Sequence, residues 1–329
     1  MAVATATRQI TYGQAIGEAL RQEMRRDRMV VLMGEDIAGG AGRDHQGLGD
    51  SWGGPFGMSK GLVAEFGRER ILDTPISEMG FIGAAVGAAA TGMRPVADLM
   101  FVDFIGSGLD QVLNQGAKLR YMFGGKSRVP MTIMTAIGAG LQAASQHSQM
   151  LYSIFVHIPG LKVVAPSDAY TAKGLMAAAI RDDDPVIVCN HKALFAIRGE
   201  CPEEDYVLPI GKARIVQEGK DVTLVGISRM TQMCRDAARA LARDGIQAEV
   251  VDVLSLSPLD DETILQSVAK TRRVVVVDES HPRCSMATDI AAMIADRGFD
   301  SLDAPVKMVT APHAPVPFAS TLEIGRAHV

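Results

Sequence analysis

The chain has 329 residues, of which 47% are hydrophobic and 22% charged, so it can bury a core of ordinary globular composition and is long enough for about two domains. There are 38 acidic and 33 basic residues and no long basic run, which argues against a nucleic-acid partner. Four widely spaced cysteines without a CxxC pair argue against a zinc site or a disulfide framework and predict a cytoplasmic protein. The membrane candidate, the uncharged segment 79–93, is shorter than the roughly 18 to 20 residues needed to span a bilayer.

In chain order, short β-branched runs alternate with amphipathic stretches, a pattern typical of βα units and a mainly parallel sheet. The predicted strands of the first half are 30–33, 95–101, 130–135, 161–165 and 185–189. The predicted helices are 12–26, 79–92, 107–122 and 168–181, with Ser167 as the N-cap of the last. The sequence therefore predicts an α/β domain over residues 1–195.

From about residue 190 the periodic pattern gives way to prolines and polar residues, and we interpret 196–212 as a linker. A second α/β domain is predicted over 213–323. Its predicted strands are 221–228, 247–254, 273–278 and 306–310, and its predicted helices are 231–243, 260–270 and 285–297. Residues 324–329 read IGRAHV, which resembles a translated sequencing adapter. We predict that they are a non-native tail and that the natural chain continues differently after Glu323.

A single carboxylate, Glu78, precedes the uncharged segment 79–93. It can be a helix-start acid favoured by the helix dipole, with Ser77 or Thr74 as the cap. Alternatively, apolar neighbours desolvate its carboxyl group, raise its pKa and make it a proton donor and acceptor near neutral pH. Those neighbours are Ile76, Met79 and Phe81. The residues by themselves favour the first interpretation.

The predicted helix 79–92 carries small residues at helical spacing. They are Gly80, Gly83, Gly87 and Gly92, with Ala84, Ala88 and Ala89. Glycine costs roughly 1 kcal/mol relative to alanine inside a helix, so its repetition indicates close contact with another backbone. That contact is either packing within the domain or contact with another subunit, and the residues alone do not distinguish the two.

Two further residues are candidates for chemistry. His147 lies in the segment 138–150, which is rich in small and polar residues. A histidine in such a loop is more plausibly accessible to solvent than one on the apolar face of a helix or strand. Phe104 follows a predicted strand, at the end of the sheet where α/β proteins bind ligands, and it is either a stacking platform or core filler.

Phosphate-binding motifs are absent from the sequence. The glycine-rich segment 34–49 has neither the GxGxxG nor the GxxxxGK[ST] spacing, and we predict a surface loop. No Gly-Asp-Gly followed by Asn-Asn, the magnesium–diphosphate signature of thiamine enzymes, is present.

Several segments together resemble a known family. They are DTPISEMGFIGAAVGAAATGMRPV, LDQVLNQGAKLRYMFGG, AASQHSQM, HIPGLKVVAPSDAYTAKGLMAAAIRDDDPV and VTAPHAPVPF. In order, over 8–323, they resemble the β subunits of thiamine-diphosphate-dependent 2-oxo acid dehydrogenases. GEDIAGGAG, DSWGGPFGMSKGL and YMFGGK are most similar to the acetoin dehydrogenase branch.

The resemblance implies a fold and a set of site residues. The fold is α/β: a pyrimidine-binding domain with a mainly parallel sheet, followed by a transketolase C-terminal-like α/β domain. Glu78 is implied to bond the aminopyrimidine ring nitrogen of thiamine diphosphate, with Phe104 and Met100 contacting that ring. His147 is implied to assist proton transfer and acyl transfer to lipoamide. A potassium ion is implied at four carbonyl groups, those of Met131, Ala179, Asp182 and Asp184.

The resemblance also implies partners. An α subunit in an α2β2 heterotetramer would contribute the diphosphate motif and hold magnesium, which explains why that motif is missing here. A dihydrolipoyl acyltransferase core would accept the acyl group. Two departures from the family are expected: the segment usual after PFASTLE is missing, and the loop 39–54, with His45 and Trp52, is longer than in pyruvate-type members.

The leading hypothesis is therefore a subunit of an acetoin-cleaving, thiamine-diphosphate-dependent oxidoreductase. The nearest rival is the same chemistry on pyruvate or a branched-chain 2-oxo acid. A rival of another class is a non-catalytic α/β scaffold that only binds a partner.

Overall fold

The computed structural model describes residues 7–39 and 53–327, and for Thr7 and residues 324–327 it describes the backbone alone. Most of the predicted loop 39–54, including His45 and Trp52, and much of the segment 34–49 therefore lie outside the described residues. Among the helices that are described, none is both long and apolar enough to cross a bilayer.

The first part of the chain contains a large sheet, a separate pair of strands and the helices that flank them. Its strands are β1 (Thr7–Thr11), β2 (Val30–Gly34), β3 (Ile71–Asp73), β4 (Arg94–Phe101), β5 (Thr132–Ile137), β6 (Lys162–Val164), β7 (Val186–His191) and β8 (Arg198–Pro202). Its helices are α1 (Tyr12–Arg26), α2 (Leu62–Phe66), α3 (Glu78–Ala90), α4 (Ile105–Asp110), α5 (Leu119–Met122), α6 (Tyr152–Val156) and α7 (Ala169–Arg181).

The second part adds six strands and four helices. The strands are β9 (Arg214–Gln217), β10 (Val222–Ile227), β11 (Ala248–Val253), β12 (Ser255–Ser257), β13 (Val274–Asp278) and β14 (Lys307–Thr310). The helices are α8 (Arg229–Arg243), α9 (Asp261–Thr271), α10 (Met286–Arg297) and α11 (Ser320–Ala327).

Two larger sheets result. The first has the order β12-β6-β7-β5-β4-β2-β3 and is parallel except for β12, which runs antiparallel to β6. The second has the order β14-β13-β10-β11-β9 and is parallel except for β9. The predicted α/β fold with mainly parallel sheets is confirmed. A strand of the second part, β12, completes the edge of the first sheet, so the two parts share hydrogen bonds.

Several details differ from the sequence predictions. The N-cap of α7 is Asp168 and not Ser167, because the Asp168 carboxylate accepts from the Thr171 N–H at 2.8 Å, while Ser167 donates to Asp252. The predicted helix 107–122 is not continuous, because a π-helical turn at Gln111–Gly116 separates α4 from α5.

Short or polar strands were missing from the sequence predictions. These are β1, β3, β8, β9 and β12. The segment 196–212, interpreted as a linker, contains β8, which pairs antiparallel with β1. Their side chains do not alternate clearly between apolar and polar, so pairing with a neighbour decides their structure.

Candidate active site

The three principal candidates lie beyond the carboxyl ends of strands in the first sheet. Glu78 begins α3 after β3, Phe104 ends a 3₁₀ turn after β4, and His147 ends another after β5. Because β2, β3, β4 and β5 are parallel, their carboxyl ends meet at one edge of the sheet. This is the edge at which open α/β sheets bind ligands.

The Glu78 carboxylate is half-buried and anchored on one side. Ser107 Oγ donates to Glu78 Oε2 at 2.9 Å and to the Phe104 carbonyl at 3.2 Å. Ser77 occupies the N-cap position of α3, but its side chain does not cap the helix. Ser107 therefore links the acid to the aromatic residue, a contact that the sequence analysis did not identify.

The expected dry surroundings of Glu78 are only partly present in this chain. Phe81 is buried, but Ile76 is 76% exposed and Met79 58% exposed. The prediction that these two apolar neighbours desolvate the acid is wrong for the chain on its own. They form an exposed apolar rim beside the Glu78 carboxylate.

A second acid, Glu35, lies near the first. It follows β2 directly, at the same edge of the sheet. Burial raises the pKa of Glu35, and the negative charges of Asp36 and Glu78 raise it further. The sequence analysis missed Glu35, although its place after a buried strand was a usable signal.

Met100 lies in a bulge of β4, where the register with β5 shifts between Asp98 and Phe101. Its φ of +61° is in the left-handed region, and its N–H donates to Asp98 Oδ1 at 2.9 Å. Bulges and positive φ values often re-aim side chains at functional sites. Burial raises the pKa of Asp98 to about 6, while the Met100 N–H opposes that shift.

His147 is packed by aromatic rings. Its imidazole makes edge-on contacts with Phe101 and Phe104, with ring centroids 4.6 and 5.2 Å apart. Phe101 in turn contacts Phe56 at 5.3 Å. The structure therefore brings Phe104 and His147 together, and it adds Phe101 and Phe56, which the sequence analysis missed because neither follows a recognisable pattern.

The segment 138–149 connects β5 to the residues beyond His147, and we call it the His147 loop. The Lys192 ammonium group donates to the His147 carbonyl and to Ser148 Oγ, the latter at 2.9 Å. A cavity of about 510 Å³ lies beside the loop, against the second part of the chain. Its lining includes Gln146, Ser148, Glu279, His281 and His313.

Three of the four carbonyl groups expected to bind potassium accept hydrogen bonds within the chain. Arg94 Nη1 donates to the Asp182 carbonyl at 2.8 Å and to the Ile180 carbonyl at 3.1 Å. Main-chain N–H groups donate to the carbonyls of Met131 and Ala179 at 3.0 and 3.3 Å. The Arg94 charge opposes a further cation at Asp182.

Asp184, the fourth expected ligand, is engaged through its side chain, which pairs with Arg120 and with Lys162. A carbonyl oxygen has two lone pairs, so these hydrogen bonds leave the potassium site at the four carbonyl groups a prediction. Within residues 7–39 and 53–327, no cluster of three or more His, Cys, Asp or Glu side chains is arranged to hold a metal.

The small-residue face of α3 is open. Gly80, Ala84 and Gly87 are exposed, and nothing lies within 4 Å of the position that a side chain on Gly87 would take. The opposite face, which includes Ile82 and Ala85, is buried in the core. Gly87 therefore does not serve packing within this chain, the first of the two alternatives for these glycines.

Comparison with known proteins agrees with this architecture. Residues 8–197 match the family model of the transketolase pyrimidine binding domain, and residues 211–324 match that of the transketolase C-terminal domain. The acetoin:2,6-dichlorophenolindophenol oxidoreductase subunit beta of Bacillus subtilis (strain 168) is 56% identical over 316 residues, covering 96% of this chain and 92% of that protein. The chain belongs to the family of thiamine-diphosphate-dependent dehydrogenase β subunits.

Other relatives define the breadth of this β-subunit family. The pyruvate dehydrogenase E1 component subunit beta of Rickettsia felis (strain ATCC VR-1525 / URRWXCal2) is 40% identical over 315 residues, covering 96% of this chain and 93% of that protein. A solved structure described as a split-gene transketolase, inactive β4 tetramer, is 21% identical with a TM-score of 0.74, covering 96% of this chain and 93% of that chain. At that identity the structural likeness shows the fold alone.

Proposed function

We propose that this β subunit, acting with an α subunit, cleaves acetoin and releases acetaldehyde. The remaining two-carbon unit is oxidised by the lipoyl disulfide, which is reduced and carries the resulting acetyl group on a dihydrolipoyl acyltransferase core. The observation that carries the proposal is the meeting of Glu78, Phe104 and His147 at one edge of the sheet. The higher identity to the acetoin enzyme, 56% against 40%, favours acetoin over pyruvate.

The described residues fit the pyrimidine half of thiamine diphosphate. A half-buried carboxylate, Glu78, has one oxygen engaged by Ser107 and the other available for a ring nitrogen. Phe104, with Met100 on the adjacent bulge, offers an apolar surface for the ring. When bound, thiamine diphosphate supplies the nucleophilic carbon and the electron sink for cleavage beside a carbonyl group.

In this proposal Glu78 holds and returns a proton at the pyrimidine ring nitrogen. The Glu35 carboxyl group, whose pKa is raised by burial and by the charges of Asp36 and Glu78, lies near it. His147 carries a proton to or from the reacting oxygen and assists transfer of the acetyl group to the lipoyl sulfur. Its packing between Phe101 and Phe104 fixes the plane of the imidazole.

The α subunit is proposed to complete the site in an α2β2 assembly and to hold magnesium and the diphosphate. Three features support this: the sequence lacks the diphosphate signature, Ile76 and Met79 are exposed beside Glu78, and the small face of α3 is open. Because Ile76 and Met79 are exposed, water reaches the carboxylate of Glu78 in the isolated chain. A partner that covers these side chains would exclude water from the reaction.

Replacing Glu78 by Gln tests the catalytic role. In the reconstituted α/β assembly, Glu78→Gln removes a proton donor and acceptor and should lower turnover roughly 100- to 10,000-fold. The matched control is Glu69→Gln, an exposed glutamate nine residues earlier, which should leave turnover unchanged. Normal turnover of an intact Glu78→Gln assembly would favour the scaffold hypothesis.

The substrate is tested separately. The rate of dye reduction by the wild-type assembly is measured with acetoin, with pyruvate and with a branched-chain 2-oxo acid as substrate, each at the same concentration. We expect acetoin to give the highest kcat/KM. A higher value for pyruvate would support the rival substrate while leaving the cofactor chemistry intact.

A further inference from the structure

The His147 loop adopts a backbone conformation that its own sequence disfavours. Gln142 and Ala144 have φ values of +50° and +59°, a region that residues with side chains rarely occupy. Gly138 and Gly140 also have positive φ, which glycine accepts readily. A loop with two such non-glycine residues persists only when surrounding contacts determine its shape.

Two carboxylates from the second part of the chain supply those contacts. Glu279, directly after β13, accepts the Ala139 N–H at 2.6 Å. Glu323, on α11, accepts the Gly140 N–H at 2.8 Å and the Gln142 N–H at 2.9 Å. Hydrogen bonds to an ionised acceptor are roughly twice as strong as neutral ones.

Glu323 is the more informative of the two. Only 5% of its surface is exposed, and it forms no ion pair among the described residues, although the Lys192 charge interacts with it at longer range. A buried carboxylate without an ion-pair partner needs hydrogen bonds to offset its desolvation. The N–H groups of Gly140 and Gln142 provide them, so the acid and the loop stabilise each other.

The other end of the loop is held by a cation. Lys192, buried after β7, donates to the His147 carbonyl and to Ser148. Glu279 also bonds the buried His191 imidazole, one residue before Lys192, at 2.8 Å. The loop is therefore fixed from both parts of the chain, with anions on its first half and a cation next to His147.

We propose that Glu323, with Glu279, is a positioning residue that holds the His147 imidazole in its reactive position across the boundary between the two parts of the chain. The inference rests on the proposed role of His147 and extends it to residues of the second part, which act through the backbone of the His147 loop. A displacement of about 1 Å in a catalytic group can lower the rate roughly 100-fold.

The test is a double-mutant cycle in the reconstituted α/β assembly. Glu323→Ala, His147→Ala and the double variant are compared for kcat and KM in lipoamide-dependent turnover, alongside thermal unfolding and cofactor affinity. Asp300→Ala, an exposed acid of the second part, is the matched control. Glu279→Gln, which keeps an acceptor for Ala139, provides a second variant should Glu323→Ala fail to fold.

We expect Glu323→Ala to lower kcat roughly 10- to 100-fold with KM within about twofold of wild type. In the His147→Ala background, Glu323→Ala should lower kcat by less than about twofold. The reason is that the effects of substituting residues that act as a unit are not additive. Glu279→Gln should show the same non-additivity with a smaller loss.

Three contrary outcomes are separable. Equal losses from Glu323→Ala in both backgrounds would overturn the positioning role and leave the proposed function standing. Full activity of His147→Ala would overturn the assigned role of His147 itself, and the positioning inference with it. Unchanged kcat in a folded Glu323→Ala assembly would also overturn the inference.

Discussion

At the scale of single residues, Asp98 shows how burial changes the pKa of a carboxyl group in this protein. Its carboxyl group is 8% exposed and is held by the Met100 N–H in the β4 bulge. With no cationic partner within ion-pair distance in the described part of the chain, burial raises the pKa of Asp98 to about 6. Ionising the Asp98 carboxyl group therefore costs more in the folded state than in the unfolded chain.

Asp98→Asn should therefore stabilise the protein in a pH-dependent way. The folded-state pKa of about 6 exceeds the ordinary 3.8, so the cost of ionisation is absent below pH 3.8 and complete above pH 6. The gain in unfolding free energy should approach about 3 kcal/mol at pH 8 and vanish near pH 4. Denaturant unfolding at several pH values measures it, with Asp300→Asn as an exposed control. A gain that does not change with pH would contradict ionisation of the buried carboxyl group as its cause.

At the scale of elements, α3 combines two unlike faces. One face packs Ile82 and Ala85 into the core, and the other presents Gly80, Ala84 and Gly87 to solvent. Glycine inside a helix weakens it, and here no contact within the chain compensates at Gly87. The arrangement is suited to close approach by another backbone, next to the first residue of the helix, Glu78.

Gly87→Leu should separate folding from assembly. The side chain enters open space in the isolated chain, and leucine favours the helix by roughly 0.8–1 kcal/mol over glycine, so stability should be kept or slightly raised. Association with the α subunit should weaken markedly, because the added side chain blocks close approach. Analytical ultracentrifugation of mixed subunits measures this. Ala240→Leu, an exposed site on α8, is the control. An undiminished affinity would argue that α3 lies outside the interface.

For the whole molecule, the two sheets and the loops between them provide only part of a cofactor site. Glu78, Met100 and Phe104 suit the pyrimidine ring, while nothing in the sequence supplies the diphosphate signature. The second part of the chain contributes β12 to the first sheet and two carboxylates to the His147 loop. In the proposed function it supports the catalytic part of the chain, and a partner binds the phosphate groups.

The isolated chain should bind thiamine diphosphate weakly. In the proposed function its residues contact only the pyrimidine end of the cofactor, and its sequence lacks the signature that binds magnesium and the diphosphate. Titration calorimetry should detect no micromolar binding until the α subunit is added. Micromolar affinity of the chain alone would contradict the shared-site proposal.

The alternation of buried strands and amphipathic helices by itself determined the α/β class, since hydrophobic periodicity reports burial directly. The predicted boundaries of α1 agree with the structure because Thr11 and Gln14 form a local capping box. The short strands β1, β3 and β12 were not predictable, because their pairing partners are remote in sequence.

The sequence also determined which residues are candidates for chemistry: Glu78 before an uncharged helix, Phe104 after a strand and His147 in a small, polar loop. Only the tertiary structure decided their surroundings. It showed that Ile76 and Met79 are exposed, that Ser107 anchors Glu78, and that Glu279 and Glu323 hold the His147 loop. The physical reason is that a residue type is local information, whereas burial and hydrogen bonding depend on atoms brought together from distant parts of the chain.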